Sequence, residues 1–222
     1  MDSIISVHTI SKTYRSGDIE TKALREVSLE VAKGEFIIIT GRNGSGKSTL
    51  LHQLGLLDMP DSGDIIINKK NVTKLSERER SELRLRYLGY IFQEYALMSE
   101  LTAIENVMVP ALPFKKTSVC RKHAGELLAQ VDLESKWDHL PSQLSGGEQQ
   151  KVAIARALIN DPVVIYADEP TANLDSIAAA DVMRVFKKIN QDGNRTILMV
   201  THEAEETVYA NRVIRLADGR II

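Results

Sequence analysis

The chain contains Gly41-Arg42-Asn43-Gly44-Ser45-Gly46-Lys47-Ser48-Thr49, a segment with the spacing G-x-x-x-x-G-K-[ST] of a phosphate-binding loop. The hydrophobic run 36–39 precedes this segment, and a stretch with helical character, 47–57, follows it. Such a loop requires a strand before it and a helix after it, because the loop leaves the end of the strand and the helix N-terminus faces the anion. The segment therefore predicts an α/β fold built around this loop.

The residue types inside the loop indicate which ligand it binds. Gly41, Gly44 and Gly46 allow the backbone to curl so that successive N–H groups converge on an anion. Lys47 adds a positive charge for the terminal phosphates, and the Ser48 hydroxyl is a ligand for Mg²⁺. A glycine-rich turn that merely caps a helix is the weaker interpretation, because Lys47 and Ser48 are both in register. We expect the chain to bind a nucleoside triphosphate with Mg²⁺.

Composition limits the other possibilities. With 222 residues and a net charge of −2, the chain has no broad basic surface, so we expect no nucleic-acid partner. Cys120 is the single cysteine, which excludes an internal disulfide. Residues 1–6 have no signal-peptide pattern, and the longest apolar runs, 163–167 and 197–200, are far below the ~20 residues of a spanning helix. Any membrane role is expected to come through a partner.

Hydrophobic periodicity divides the chain into three kinds of segment. Residues 1–35 predict short strands joined by turns, and the charged stretch 76–86 predicts a solvated helix. Residues 94–159 predict helices without strands. Apolar strands at 163–167 and 195–200, with an amphipathic helix between them, predict a parallel sheet covered on both faces.

Two carboxylates follow the predicted strand 163–167. Asp168 and Glu169 come directly after it, at the end of a strand where α/β sheets place ligand groups. Asp168 is expected to hold Mg²⁺ opposite Ser48, and Glu169 to accept a proton from the attacking water. The alternative for Glu169, that it caps the following turn, is disfavoured by the presence of the phosphate-binding loop.

A second glycine-rich helix start occurs at 144–150, Leu-Ser-Gly-Gly-Glu-Gln-Gln. Ser145 and the free N–H groups at this start form an anion-binding helix N-terminus. The segment carries neither a lysine nor a metal ligand, so it predicts half of a site. An ordinary N-cap remains an alternative for Ser145 alone.

Taken together, these motifs resemble the nucleotide-binding subunit of an ATP-binding cassette (ABC) transporter over essentially the whole chain. The motifs occur in the family's order: Tyr14, 41–49, Gln93, 144–150, 163–170, 173–175 and His202. Two positions depart slightly from the common pattern, Ala172 and Glu148. Glu169 and His202 are both present, so the resemblance implies a Mg²⁺-dependent ATPase that is competent for hydrolysis.

The resemblance implies a role for each matching residue. Tyr14 is expected to stack on adenine, and Gln93 to reach Mg²⁺ and the attacking water. Ser145, Gly146 and Gly147 are expected to contact the γ-phosphate bound to a second subunit, so that a homodimer sandwiches two ATP molecules. Asp175 lies in a loop expected to cross that interface, and His202 is expected to bind the γ-phosphate. The expected nucleotide contacts of the phosphate-binding loop are Gly41, Arg42, Asn43, Gly44, Ser45, Gly46, Lys47, Ser48 and Thr49. The remaining histidines, which match no motif, are interpreted as surface or structural residues: His8, His52, His123 and His139.

The resemblance also implies the architecture, a single ABC ATPase domain over 1–222. Residues 1–93 and 160–222 are expected to form a P-loop NTPase (RecA-like) core with an N-terminal antiparallel β subdomain. Residues 94–159 are expected to form an inserted α-helical subdomain.

Residues 90–98 and 101–110 resemble the lipoprotein-release and macrolide-exporter branch (LolD/MacB/FtsE-like) of the family. The resemblance implies a permease partner with few membrane helices and a large extracytoplasmic domain, and a location on the cytoplasmic face of the inner membrane. Leu97, Met98 and Leu101 are a candidate lining for the groove that takes the permease's coupling helix, or else part of the lobe core. An FtsE-like ATPase that sends a mechanical signal through its permease is the alternative function. The sequence does not name a cargo.

Three other classes fit less well. A DNA-repair or chromosome-structuring ATPase would carry long coiled-coil or zinc insertions, and the chain has neither heptads nor cysteine pairs. A translation factor would usually have two cassettes, and the chain has one phosphate-binding loop. A small-molecule kinase would have no use for the segment 144–150.

Overall fold

The computed structural model describes residues 3–222, so Met1 and Asp2, part of the stretch in which no signal peptide is predicted, lie outside the described residues. Strands in this range are β1 Ser3–Ser16, β2 Ile19–Ala32, β3 Phe36–Thr40, β4 Ser62–Ile67, β5 Lys70–Asn71, β6 Leu88–Ile91, β7 Val164–Asp168, β8 Thr196–Val200, β9 Arg212–Ala217 and β10 Arg220–Ile221. The α-helices are α1 Lys47–Leu54, α2 Glu77–Tyr87, α3 Ala103–Met108, α4 Thr117–Gln130, α5 Gly146–Leu158 and α6 Ser176–Gly193. Short 3-10 helices span Val109–Ala111, Glu134–Lys136, Pro141–Gln143 and Ala204–Tyr209.

The central sheet has the strand order β10-β9-β3-β8-β7-β6. Strands β9, β3, β8, β7 and β6 pair in parallel, and β10 pairs antiparallel with β9. Because β7 lies next to β8 and β8 next to β3, the carboxyl ends of all three strands meet at one edge.

The central strands are buried on both faces, as their continuous apolar runs predict. In β3, Phe36 and Ile38 pack into one hydrophobic core, while Ile37 and Ile39 pack into the other. The first core contains the buried faces of α3, α4, α5 and α6, and the second contains α1 and the N-terminal strands. Because successive side chains of a strand point to opposite faces, the same sheet packs against both hydrophobic cores.

The N-terminal strands form a second, antiparallel sheet with the order β2-β1-β4-β5. β1 and β2 are 14 residues each, much longer than the short strands predicted. The outer half of this ribbon, 11–16 paired with 19–24, is largely solvent-exposed, so its backbone ladder forms without an apolar alternation. Register shifts near Thr9 and Glu26, both with positive φ, allow the long ribbon to bend over the core sheet.

Between β6 and β7 the described chain forms helices and loops without strands, as predicted. The two longer helices of this lobe pack apolar side chains into the helical core. α4 buries Cys120, Ala124, Leu127 and Leu128, and α5 buries Val152, Ile154, Ala155 and Leu158. None of the helices in residues 3–222 is long and apolar enough to cross a membrane.

Candidate functional site

The phosphate-binding loop joins β3 to α1. Within the described chain, no protein acceptor is bonded to the backbone N–H groups of Gly44, Gly46, Lys47 and Ser48. Gly46 has φ 102°, and a Cβ at this position would lie 2.3 Å from the Ala23 carbonyl oxygen of β2. Only glycine allows the loop and the N-terminal sheet to approach this closely. The result is a set of N–H groups at a helix N-terminus, which is an anion-binding arrangement.

Two buried polar side chains in the loop fit a polyphosphate ligand. Ser45 is buried, and its hydroxyl has no hydrogen-bond partner in the described chain. Lys47 is 5% exposed, and its ammonium donates one long hydrogen bond, 3.4 Å, to the Arg42 carbonyl. A buried cation needs an anion or several acceptors, and within residues 3–222 the Lys47 ammonium has a single weak acceptor. The residues present therefore suit the phosphates of a nucleotide, while Arg42, Asn43 and Gly44 are exposed at the mouth of the loop.

Ser48 and Asp168 lie together, as the expected Mg²⁺ site requires. The Ser48 hydroxyl donates to Asp168 Oδ1 at 3.1 Å. A hydroxyl and a carboxylate are the hard oxygen ligands that Mg²⁺ binds in proteins. Gln93, the third expected ligand, lies two residues beyond the end of β6 and is exposed. The backbone carbonyl oxygen of Gln93 accepts a hydrogen bond from the side-chain amide of Asn173 at 3.3 Å. This bond joins the Gln93 segment to the loop after β7.

His52, which matches no motif and is expected from the sequence to be a surface or structural residue, also contacts Asp168. Its Nε2 lies 3.2 Å from Asp168 Oδ2, the oxygen that Ser48 does not use. A signal for this contact was present in the sequence. His52 follows Ser48 by four residues in a predicted helix, and residues at i and i+4 share one face.

Glu169 and His202 are in direct contact at the carboxyl ends of β7 and β8. His202 Nδ1 lies 3.2 Å from Glu169 Oε2, and His202 Nε2 lies 3.0 Å from Glu203 Oε1. The backbone of Glu169 has φ 44°, a left-handed conformation that is uncommon for a non-glycine residue, and its N–H donates to the Val200 carbonyl at 2.9 Å. The neighbouring strand thus fixes the turn that presents this carboxylate.

Ser145 is the N-cap of α5 and shares a capping box with Glu148. The Ser145 oxygen accepts from the Glu148 N–H at 3.3 Å, and the Ser145 N–H donates to Glu148 Oε2 at 2.8 Å. The hydrogen bond from the Ser145 N–H is the main cause that lowers the pKa of Glu148. Within residues 3–222 the N–H groups of Gly146 and Gly147 have no protein acceptor, so capping and anion binding are compatible here.

The start of α5 contacts two other predicted site segments. A Cβ at Gly146 would lie 2.9 Å from the hydroxyl of Tyr95, which follows Gln93 by two residues, and 3.2 Å from Leu174 Cδ2. Asp175, after Leu174, is the N-cap of α6 and accepts from the N–H groups of residues 177 and 178 at 3.0 and 2.9 Å. Across the described residues, no hydrogen bond or ion pair joins 145–150 to the phosphate-binding loop 41–49.

Tyr14 lies in the exposed half of β1, with 42% of its surface accessible. Its hydroxyl donates to Asp58 Oδ2 at 2.8 Å. Partial burial and this bond to the Asp58 carboxylate raise the pKa of Tyr14 above its usual value. The sequence predicts no role for Asp58, because no local pattern connects it to Tyr14, 44 positions earlier.

The candidate groove residues lie in different surroundings. Leu97 packs against the helical core, whereas Met98 is 48% exposed. A surface cavity of about 410 Å³ lies elsewhere, between α2, β6 and the end of α5. Its apolar lining includes Leu57, Leu85 and Pro110, and none of Leu97, Met98 and Leu101 contributes to it.

Comparisons with known proteins show the family and the fold to which the chain is similar. The profile of the family described as "ABC transporter" matches residues 24–172. The chain is 47% identical over 223 residues to the lipoprotein-releasing system ATP-binding protein LolD of Aquifex aeolicus, covering 100% of this chain and 97% of that protein. It is 45% identical over 219 residues to the macrolide export ATP-binding/permease protein MacB of Chlorobaculum tepidum, covering 99% of this chain but 34% of that protein. The chain thus spans about a third of the length of the macrolide export relatives it matches.

Among solved structures, a dimeric ATP-binding cassette in a post-hydrolysis state, bound to ADP and Pi, superposes with a TM-score of 0.89 at 39% identity, covering 98% of this chain and 96% of that one. The predicted fold class is therefore confirmed: an α/β core of P-loop NTPase type with an antiparallel β subdomain and an inserted helical subdomain.

Proposed function

The chain belongs to the ABC transporter family, and on that premise we propose that it is the ATP-binding and ATP-hydrolysing subunit of a transporter of the lipoprotein-release and macrolide-export branch. The observation that carries this proposal is the contact between Glu169 and His202 beside a phosphate-binding loop with free N–H groups. A nucleotide-binding module without turnover would need the loop but not this pair of residues.

Each residue of the site has a part in the proposed reaction. The N–H groups of the loop, Lys47 and the Ser45 hydroxyl bind the phosphates, and Tyr14 stacks on the adenine. Glu169 accepts the proton of the attacking water, and a positioned base of this kind contributes about 10²–10⁴ in rate. His202 orients the Glu169 carboxylate through Nδ1, and its Nε2 would exchange the Glu203 carboxylate for the γ-phosphate. Mg²⁺, held by Ser48, Gln93 and Asp168, would neutralise charge on the phosphates.

We propose further that two copies of the chain form the complete site. Among the described residues, the N–H groups of Gly146 and Gly147 have no acceptor, and neither these groups nor the Ser145 hydroxyl is bonded to the loop of their own chain. Together these three groups suit an anion. The γ-phosphate bound to a second copy is the anion that fits, and Asp175 would lie at the interface. A dimeric relative of the same fold supports this arrangement. We propose that residues 1–222 act as one such cassette, with 94–159 as the lobe that carries Ser145.

The relatives' names support a membrane partner, because one combines ATP-binding and permease parts and the other belongs to a lipoprotein-releasing system. We propose that the chain binds, at the cytoplasmic face of the inner membrane, a permease with an extracytoplasmic domain. The cavity beside Leu57, Leu85 and Pro110 is a better candidate for the permease's docking segment than Leu97, which packs into the lobe core.

The experiment that tests this function compares Glu169→Gln with the parent chain and with Glu205→Gln, a matched change at an exposed carboxylate. Phosphate release measures turnover, and size-exclusion chromatography with light scattering measures the mass with and without ATP. We expect Glu169→Gln to lose turnover and to form a dimer only with ATP, while Glu205→Gln behaves as the parent. Undiminished turnover in Glu169→Gln would refute its role as the base. A parent chain that releases no phosphate from ATP would refute the function.

A further inference from the structure

Asp58, in the loop after α1, has hydrogen-bond donors on both carboxylate oxygens. Oδ2 accepts from the Tyr14 hydroxyl at 2.8 Å and from the Gln53 amide at 3.0 Å. Oδ1 accepts from the Lys12 ammonium at 3.0 Å and from the Met59 N–H at 2.7 Å. Desolvation acts to raise the pKa of Asp58, but these bonds from Tyr14, Lys12 and Met59 outweigh it, and the pKa lies below its usual value. A carboxylate bonded to four donors is held in one orientation.

Tyr14 is held at two points by this cluster. Its hydroxyl is bonded to Asp58, and the Lys12 ammonium lies over the ring, 5.3 Å from the ring centroid. The Lys12 ammonium is in turn fixed by Asp58 and by the Met59 carbonyl at 2.6 Å. An aromatic residue on an exposed ribbon would otherwise be free to change rotamer, and these contacts restrict it. With 42% of its surface accessible, the residue can still be reached by a planar ligand.

The same cluster ties Tyr14 to the helix that begins at the phosphate-binding loop. Gln53 belongs to α1, and the Asp58 N–H donates to the carbonyl of residue 52 at 3.3 Å. On the other side, Tyr14 pairs with Thr21 in β2, two residues from Ala23, whose carbonyl meets Gly46. The aromatic ring and the phosphate-binding N–H groups are therefore parts of one connected unit.

We propose that Asp58 is a positioning residue for the adenine base: it fixes the ring of Tyr14 at a set place relative to the phosphate-binding loop. The inference rests on the proposed function, since it assumes that an adenine nucleotide occupies the site. Asp58 does not touch the nucleotide, and its effect passes through Tyr14. A ring that is already ordered loses less conformational entropy when the base stacks on it, so the affinity for the base is higher.

The test compares a ligand that has the base with one that lacks it. ATP and inorganic tripolyphosphate both offer phosphates to the loop, but only ATP can stack on Tyr14. The variants are Asp58→Asn, Tyr14→Phe, which keeps the ring but loses the hydroxyl, and Tyr14→Ala, which removes the ring. Asp18→Asn, in the exposed turn between β1 and β2, is the matched control. Calorimetry gives the ATP affinity, and the ligand-induced rise in melting temperature reports on both ligands.

We expect Asp58→Asn and Tyr14→Phe each to weaken ATP binding about three- to tenfold, and Tyr14→Ala to weaken it at least as much. Stabilisation by tripolyphosphate stays unchanged in all three, and Asp18→Asn binds both ligands as the parent does. The double variant of Asp58→Asn and Tyr14→Phe should lose less than the sum of the two single losses, because both act on the same contact.

Three results would overturn the proposal. Asp58→Asn could bind ATP like the parent, or weaken ATP and tripolyphosphate in the same proportion, which would indicate general damage to the loop. Tyr14→Ala could bind ATP normally, which would show that the adenine does not depend on stacking against Tyr14. A parent chain that responds to neither ligand would instead refute the proposed function, so the two failures can be told apart.

Discussion

His52 Nε2 lies 3.2 Å from Asp168 Oδ2, while the other oxygen of the same carboxylate accepts the Ser48 hydroxyl at 3.1 Å. Ser48 and His52 are one turn apart in α1, so this helix holds both oxygens of a carboxylate that arrives on β7. Asp168 is therefore oriented by two side chains of α1, and one of them, His52, lies outside the recognised motifs.

His52→Ala is expected to raise the Mg²⁺ concentration needed for half-maximal turnover roughly tenfold, a usual cost of losing a bond that orients a metal-ligating group. Mg²⁺ titrations of the ATPase rate measure this shift, and ATP binding in the presence of EDTA should not change. His8→Ala, at an exposed position of the antiparallel sheet, is the control. Equal Mg²⁺ dependence in His52→Ala and the parent would contradict the orienting role.

A mixing experiment tests whether Ser145 completes the site of a second copy. Lys47→Ala should disable one loop, and Ser145→Arg should disable one α5 start, so each variant alone should be inactive. In a heterodimer of the two, the intact loop of one chain faces the intact α5 start of the other. An equal mixture should regain at most about a quarter of the parent turnover, since half of the dimers carry one working site of two.

Phosphate release from the mixture, against each variant alone, is the measurement. A mixture that is as inactive as each variant alone would argue against a site formed by the loop of one copy and the α5 start of the other. Turnover in Ser145→Arg alone would show that this serine is not needed at all.

Arg156 is expected to hold the segment that follows Gln93. Its guanidinium donates to the carbonyl oxygens of Ala96 at 2.5 Å and Tyr95 at 2.7 Å, and both residues have positive φ. Arg156→Leu leaves these carbonyls without their charged donor and should destabilise the chain by about 1–3 kcal/mol. Hydrogen exchange should accelerate around residues 95–98, and urea denaturation gives the free energy of unfolding.

Arg121→Leu is the matched control, because Arg121 is half-exposed and its ion pair with Asp138, at 3.6 Å, is worth little at the surface. Faster exchange throughout the helical lobe in Arg156→Leu, with no local maximum at 95–98, would argue against a specific role at that segment.

The lowered pKa of Asp58 predicts a pH dependence for Asp58→Asn. A carboxylate with a lowered folded pKa stabilises the fold fully above its unfolded pKa of about 3.9, and the contribution is lost as pH falls through the folded value. The stability difference between parent and variant should therefore be constant from about pH 7 to pH 5 and shrink only below about pH 4. Urea midpoints across this range provide the test. A difference that is already shrinking between pH 7 and pH 5 would mean that the pKa is not lowered.

Much of the architecture follows from local patterns in the chain. Contacts between near neighbours in the sequence encode the strand, the loop and the first helix. The corresponding segments are the apolar run before Gly41, the glycines from Gly41 onward and the helical stretch after Lys47. The same holds for Ser145, whose capping box with Glu148 spans three residues. Asp168 could be placed at a strand end because the strand before it is apolar throughout.

The long hairpin of β1 and β2 could not be predicted in the same way. Its outer half lies away from the core and is held by backbone hydrogen bonds. Both faces of this half are largely exposed, so its sequence has no alternation of apolar and polar residues. Tyr14, which is paired with Thr21, lies in this part of the ribbon, where no alternation of apolar residues indicates a strand.

The sequence alone established the motifs, their order and the class of ligand, because these depend on residue types at short, fixed spacings. The partnerships between distant residues came only from the folded chain: His52 with Asp168, Asp58 with Tyr14, and the Tyr95 hydroxyl with Gly146. The physical reason is that such contacts depend on which strands lie side by side and in what register. The order β3-β8-β7 brings α1 against Asp168 across more than a hundred residues, and no local pattern encodes that distance.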